Sequence, residues 1–209
     1  MVNNNYYGSE RDDIIALIPR DAKRILDVGC GFGLMGRKLK EKDDAVEVVG
    51  LEAVTKAAEV ARKNVDTLIM GDVEEIKLPY ENGYFDCLVY GEVLEHLKDP
   101  WKVLKEHARY LKKEGCCIAS MPNISHYSII EALIKDKWDY KESGILDNTH
   151  LRFFTINGMR KMFAGAGYII EEEKRYIRGS KVKKMIGRLF GKRAVHLLTE
   201  QYLIKGRLT

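Results

Sequence analysis

A doubly wound α/β fold built on a parallel sheet is predicted by three observations. Strand-like and helix-like segments alternate from Lys23 to about Asn123. The strand segments are short apolar runs, while the helix segments are rich in helix formers or amphipathic. Acidic residues recur just where successive strands end, at Asp27, Glu52 and Asp72. Alternation of this kind argues parallel strands joined by helical crossovers, with ligands at the C-terminal strand ends.

Each element has its own signal. "RILDV" is a compact apolar run, followed by glycines and then the helical "LMGRKLKEK". "VEVVGLE" is a second strand, and "TKAAEVARKNV" a second helix. "TLIMGD" reads as a third strand and "YFDCLVYG" as a fourth, announced by the turn signal Glu81-Asn82-Gly83. "DPWKVLKEHARYLKK" is amphipathic, with Trp101, Leu104, Ala108 and Leu111 near helical spacing. "GCCIASMP" is the fifth strand. The segment from about 124 to 150 then breaks the rhythm, with helix and loop expected in "SHYSIIEALIKDKWDYKES", and it should cap the strand ends. "TINGMRKMFAGAGY" resumes as a helix with a glycine stop, followed by strands in "YIIEEEKRYI" and "HLLTEQYLIKG".

The chain of 209 residues, 45% hydrophobic and 32% charged, fits one globular domain with a substantial core. There is no internal repeat or low-complexity tract. No apolar run reaches membrane-spanning length and the start "MVNNNYYGSERDD" has no signal-peptide core, so a cytoplasmic protein is expected. Cys30, Cys87, Cys116 and Cys117 form no CxxC pair, which argues against a disulfide framework or zinc site. The charge is uneven. Nine Lys and Arg lie between Lys174 and Arg193 with no acid among them; taking these nine from the net +4 leaves −5 elsewhere. The basicity is therefore local, and no recognisable RNA-binding module accompanies it, which counts against nucleic acid as a partner.

"ILDVGCGFGLMG" places Gly29, Gly31, Gly33 and Gly36 at a strand-to-helix turn, where glycine lets backbone approach a ligand closely. Gly31-x-Gly33-x-x-Gly36 also matches a dinucleotide pattern. Asp27 tilts the reading away from a dinucleotide, because a carboxylate before the first glycine would repel a pyrophosphate and welcome an ammonium group. The ladder Asp27, Glu52, Asp72 suits a ligand carrying an amine, a ribose diol and an adenine amino group in sequence. S-adenosylmethionine has those parts in that order.

At this point the sequence resembles the class I S-adenosylmethionine-dependent methyltransferases, from about Ile25 to Tyr168, through "LDVGCGFG", "VVGLE", "MGDVEEIKLPYENGYFDCLVYGEVLEHLKDP" and "LRFFTINGMRKMFAGAGY". The resemblance implies a Rossmann-like, seven-stranded, mostly parallel sheet with an antiparallel last strand. It implies S-adenosylmethionine as cofactor and S-adenosylhomocysteine as product. Asp27 and the loop Gly29, Cys30, Gly31, Gly33 would hold the methionine part. Glu52, with Ala53 beside it, would take the ribose hydroxyls, Asp72 the adenine amino group, and Val73 would pack near the ring. Glu92 would lie close to the sulfonium, and Tyr7 and Arg11 on a leading segment could touch the methionine carboxylate or the acceptor.

The sulfonium methyl is already electrophilic, so the protein mainly aligns an acceptor and excludes water; a hydroxyl acceptor also needs its proton removed. "YGEVLEHLKDPW" brings Glu92, Glu95 and His96 to one face if a helix begins near Val93. His96, with Glu95, is the candidate for handling that proton. Glu-x-x-Glu-His also resembles the ubiquinone-pathway O-methyltransferases and the small-RNA 3′-terminal 2′-O-methyltransferases, which use a metal. His126 or His150 would then complete a Mg²⁺, Mn²⁺ or Zn²⁺ site. A structural or cofactor-shell role for the cluster, with Glu95 charging a helix N-terminus, is the leading reading, His96 as base the second and metal the least favoured.

The cap supplies His126, Tyr127, His150 and Arg152 as candidate acceptor contacts, a polar-aromatic mixture suited to sugars and other polar small molecules. Phe153 and Phe154 read as packing. The segment is similar to methyltransferases found with bacterial glycan-modifying enzymes. O-methylation of a polar small molecule or glycan is therefore the expected activity. An RNA 3′-end 2′-O-methyltransferase and a non-catalytic S-adenosylmethionine-binding protein are the alternatives. A basic amphipathic helix at about 180–192 is expected from Met185, Ile186, Leu189 and Phe190. It would be a solvated face or an oligomer contact, or would rest on an anionic membrane.

Overall fold

The computed structural model describes residues 8–177 and 192–209. Tyr7 and the basic helix expected at 180–192 thus fall outside the described residues, apart from Lys192 itself. Within the rest lies one seven-stranded sheet of order β3-β2-β1-β4-β5-β7-β6. Its strands are β1 (Arg24–Val28), β2 (Glu47–Glu52), β3 (Thr67–Met70), β4 (Phe85–Gly91), β5 (Leu111–Pro122), β6 (Tyr168–Tyr176) and β7 (Gln201–Leu208). β1 to β5 pair in parallel, and β7 runs antiparallel to both β5 and β6. This is the expected doubly wound, mostly parallel sheet with an antiparallel last strand.

The helices are α1 (Asp12–Ile15), α2 (Leu34–Lys42), α3 (Thr55–Ala61), α4 (Pro100–His107), α5 (Tyr127–Ile134), α6 (Ile156–Gly165) and α7 (Lys192–Leu198). Local chemistry sets their starts. Asp99 accepts from the Lys102 amide at 3.0 Å with Pro100 as the first helical residue, and Thr155 accepts from the Gly158 amide at 3.2 Å. Two apolar clusters sandwich the sheet. Leu26, Val28, Leu88 and Tyr90 face one side, and Ile25, Val48, Cys87 and Val89 the other, which is the period-2 alternation of a sheet covered on both faces.

Two boundaries differ from the sequence reading. Leu111 opens β5 rather than closing the preceding helix, and the buried side of α4 is Val103, Leu104 and His107, with Trp101 about half exposed against Phe154. Cross-strand pairing of Leu111 with Phe85 outweighs its helical spacing. Likewise "HLL" belongs to α7 and the last strand starts only at Gln201, because Thr199 turns the chain by bonding back to the Val195 carbonyl at 2.8 Å.

The order reverses between β1 and β4, which is where an open α/β sheet leaves a crevice beyond its strand ends. The segment between β5 and α6 arches over that end. It leaves and returns at one place, since Asn123 bridges Phe154 and the Ile124 amide donates to the Phe154 carbonyl at 3.0 Å. Of its helix α5 only Ile129 is buried. No helix among the described residues is long and apolar enough to cross a membrane.

Candidate active site

Three adjoining cavities open at the strand ends. The largest, about 400 Å³, runs along the ends of β1, β2 and β3, between Glu52, Ala53, Asp72 and Val73 on one side and His96, Leu97, Thr149 and Leu151 on the other. A narrower cavity of about 80 Å³ lies beside the glycine loop, lined by Arg11, Asp27, Gly29, Cys30, Gly31 and Met35 among others. A third, of about 190 Å³, lies under the cap. Glu92 borders all three, and His96 borders the first and third.

The glycine loop is held open by conformation and by lack of bulk. Gly29 has φ 67°, and a Cβ there would meet Val93 Cγ2 at 2.5 Å. Gly31 has φ 56°. Glu52, 5% exposed, fixes the loop from the neighbouring strand: its Oε2 accepts from the Gly31 amide at 2.8 Å and its Oε1 from the Val54 amide at 2.9 Å. Two charge-assisted bonds orient the carboxylate along the floor of the large cavity. Asp72 sits at its rim and caps the Glu74 amide at 2.9 Å. Gly33 lines neither cofactor-side cavity. It is the left-handed residue before α2 and packs against Asn64 and Val65, as Gly36 packs against Val65 and Val48. These two glycines therefore serve helix–sheet packing, a correction to the expected role of Gly33.

Asp27 is 5% exposed and faces the narrow cavity, and no described residue donates a hydrogen bond to it. Burial pushes its carboxyl up to about 7, against the pull of Arg11. Such a group gains from a cationic ligand. Burial likewise pushes the Cys30 thiol up, leaving it a packing residue. Arg11 has left-handed backbone (φ 48°), grips Asp13 through two bonds of 3.0 Å and reaches Ser120 Oγ at 2.9 Å. It brings a guanidinium to the edge of the same cavity.

Glu92 follows β4 in the left-handed region at φ 58°, a conformation costly for a residue with a Cβ. Its amide is held by Ser120 Oγ at 3.1 Å and the Ser120 carbonyl at 3.2 Å, and its carboxylate accepts from Gln201 Nε2. The expected helical face of Glu92, Glu95 and His96 does not form, although all three line the cavity under the cap. A single 3₁₀ turn, Leu94–His96, stands in place of the helix expected to begin near Val93.

Glu95 instead points inward. It is 1% exposed, both carboxylate oxygens lack a partner among the described residues, and burial pushes it up to about 8. Its backbone carbonyl accepts from the Leu151 and Arg152 amides at 2.8 and 2.9 Å, tying the end of the cap to the turn. His96 Nδ1 lies 3.2 Å from both the carbonyl and the hydroxyl oxygen of Thr149, and His150 Nδ1 lies 3.0 Å from the Ile145 carbonyl. A carbonyl only accepts, so each ring carries its proton on Nδ1 and its lone pair on Nε2. The rings meet edge to face with centroids 4.8 Å apart. Burial, and then the charge His150 would carry, lower the His96 pKa. His96 is therefore neutral near pH 7.

Of the cap residues expected at the site, only His150 is brought there. His126 is buried as the N-cap of α5, bonded to Ser128, with Tyr127 stacked beside it; neither lines any of the three cavities. Arg152 turns outward, donating to the Lys98 carbonyl and lying over Trp101. Phe154 is core and Phe153 packs on Trp138, as expected. Sequence reading missed Asp147, Tyr176, Glu200 and Gln201, which line the third cavity. Tyr176 and Gln201 are cross-strand partners at the end of the β6–β7 pair. Only that antiparallel pairing could have pointed to them.

Residues 26–119 match the family described as Methyltransferase domain. This match covers a little under half of the chain, and the fold and the site geometry around it agree with the resemblance to the class I S-adenosylmethionine-dependent methyltransferases. In particular, the chain is 28% identical over 130 residues to a ubiquinone biosynthesis O-methyltransferase of Cereibacter sphaeroides, covering 60% of this chain and 52% of that protein. It is 30% identical over 111 residues to the 27-O-demethylrifamycin SV methyltransferase of Amycolatopsis mediterranei, covering 50% and 40%. The matches thus span about half or less of these curated relatives. Among solved structures, a SAM-dependent methyltransferase of Thermotoga maritima, titled a possible histamine N-methyltransferase, shares the fold with a TM-score of 0.67 at 20% identity, over 97% of this chain and 89% of that one.

Proposed function

We propose that this chain transfers the methyl group of S-adenosylmethionine to a hydroxyl of a small polar molecule or glycan bound under the cap. The observation that carries this reading is the position of His96, neutral and bordering both the large cavity and the cavity under the cap. The cofactor would lie with its amino group toward Asp27, its carboxylate toward Arg11, its ribose on Glu52 and its adenine between Asp72 and Val73. Glu92 would flank the sulfonium at the junction of the three cavities. Bound there, S-adenosylmethionine would supply an electrophilic methyl group to the acceptor oxygen, with the C–S electron pair going back to sulfur. The hydroxyl proton passes to His96 Nε2, and Thr149 holds the ring in the required tautomer. The two O-methyltransferases named above support oxygen as the acceptor atom.

Calorimetry with S-adenosylmethionine and with NAD tests the cofactor; tight NAD binding with no S-adenosylmethionine response would defeat the reading. S-adenosylhomocysteine release with hydroxylated acceptors tests transfer, and its absence with every acceptor would leave a cofactor-binding protein.

A second reading rests on one group of side chains. Glu95, His96 and His150 offer ligand atoms within 4.8 Å of one another, and Glu95 lacks other partners among the described residues. With both Nδ1 atoms turned to backbone carbonyls, the two Nε2 atoms and one carboxylate fit a divalent cation. His150 would supply the third ligand, and Glu92 stands outside the group. Such an ion would supply Lewis acidity that favours a deprotonated acceptor hydroxyl. Unchanged turnover after exhaustive EDTA treatment removes this reading.

A further inference from the structure

The walls of the cavity under the cap are unbalanced in charge. Four carboxylates line it, from Glu92, Glu95, Asp147 and Glu200, and among the described residues no lysine or arginine does. Two of the four are already engaged. Glu92 accepts from Gln201, and Asp147 uses one oxygen for the Thr149 amide at 2.8 Å and hydroxyl at 2.6 Å. Glu95 is not: it is 1% exposed and neither oxygen has a donor among the described residues. A buried carboxyl without donors is costly to the fold, and the cost is offset when a ligand brings the missing donors and the opposite charge. The Tyr176 ring, more than half exposed, adds a face suited to a cation. A phosphate or carboxylate ligand would be repelled by Glu92, Asp147 and Glu200. The cavity, of about 190 Å³, has room for a small ring.

We infer that the acceptor is a small hydroxylated molecule bearing a protonated amine, held by Glu95 with Glu200 at the rim, while its hydroxyl faces His96. This deepens the methyl-transfer reading above and rests on it. The amine is the anchor and keeps its proton, so the methyl group goes to oxygen. The ion pair also gives specificity: an acceptor lacking the charge leaves Glu95 buried and unpartnered.

The test uses the full chain, EDTA-treated and saturated with S-adenosylhomocysteine, and three matched probes: glucosamine, N-acetylglucosamine and glucose 6-phosphate. Saturation-transfer NMR titrations should show glucosamine binding at least about tenfold more tightly than the other two. Glu95→Gln and Glu200→Gln should each cut that preference, with S-adenosylhomocysteine affinity unchanged as the sign of an intact fold. Equal binding of the three probes, binding of the phosphate alone, or no binding of glucosamine at millimolar concentration would overturn the amine inference while leaving methyl transfer standing. So would recovery of probe binding only when Mg²⁺, Mn²⁺ or Zn²⁺ is added back, since a metal would then occupy Glu95. Failure to bind S-adenosylhomocysteine at all would instead strike the methyl-transfer reading itself.

Discussion

The two halves of the site are built by different means. On the β1–β2–β3 side the polar groups stand on strand ends and are fixed by backbone: Glu52 accepts two amides, and the glycine loop follows from positive φ at Gly29 and Gly31. Under the cap, the groups come from a 3₁₀ turn, a long loop and the far end of an antiparallel pair. One half is fixed by backbone bonds. In the other, the most buried carboxyl, that of Glu95, has no donor among the described residues. Binding and chemistry should therefore separate cleanly on mutation.

His96→Ala would sharpen that contrast most. Removal of the base should cost ~10²–10⁴ in kcat, with S-adenosylmethionine affinity within about threefold by calorimetry. A fall in affinity equal to the fall in turnover would break the comparison. Glu52→Ala acts on the opposite half. Loss of two charge-assisted bonds holding Gly31 and Val54 should weaken cofactor binding by ~100-fold, at about 1.5–3 kcal/mol per bond before relaxation. Turnover at saturating cofactor should suffer far less.

A smaller effect concerns protons. Asp27 is raised to about 7 in the free protein, so below that pH it is largely protonated. An ammonium ligand favours the carboxylate, and binding must then expel the proton. Affinity for S-adenosylmethionine should fall by up to about tenfold per pH unit below about 7. Calorimetry in two buffers of different ionisation enthalpy should show proton release near pH 6.5. Asp27→Asn should abolish both the slope and the release. The kcat profile carries a separate limb: because the His96 pKa is lowered, turnover should hold down to a pH below the usual imidazole value of about 6.5 and fall only beneath it.

The smallest effect is expected on the cap's outer face. Ile134→Ser, at a position 81% exposed, should change stability by less than about 0.5 kcal/mol in urea unfolding and leave cofactor affinity unchanged.

The placement of acids at the ends of β1, β2 and β3 was legible in the sequence because its signals are local. Alternating apolar runs set the strands, and Asp27, Glu52 and Asp72 follow from their ends. What could not be read was how backbone reversals redirect side chains. Regular helical spacing put Glu92, Glu95 and His96 on one helix face, whereas left-handed backbone at Glu92 and a single 3₁₀ turn bring them to one cavity instead. The same limit applies to the cap. His126 and His150 look alike in sequence, and only tertiary bonds decide that one caps a helix while the other meets His96. Gln201 and Tyr176 carried no signal of their own, since a strand-end rim exists only after distant segments pair.

The bridge between Asn123 and Phe154 has a consequence for how such a protein can change. Because the arch leaves and rejoins the body at one point, it behaves as a cassette. Its length and outer residues can vary with little strain on the sheet, provided the Leu151–Arg152 tie to Glu95 survives. Changes in the arch would then leave Asp27, Glu52 and Asp72 at the strand ends in place.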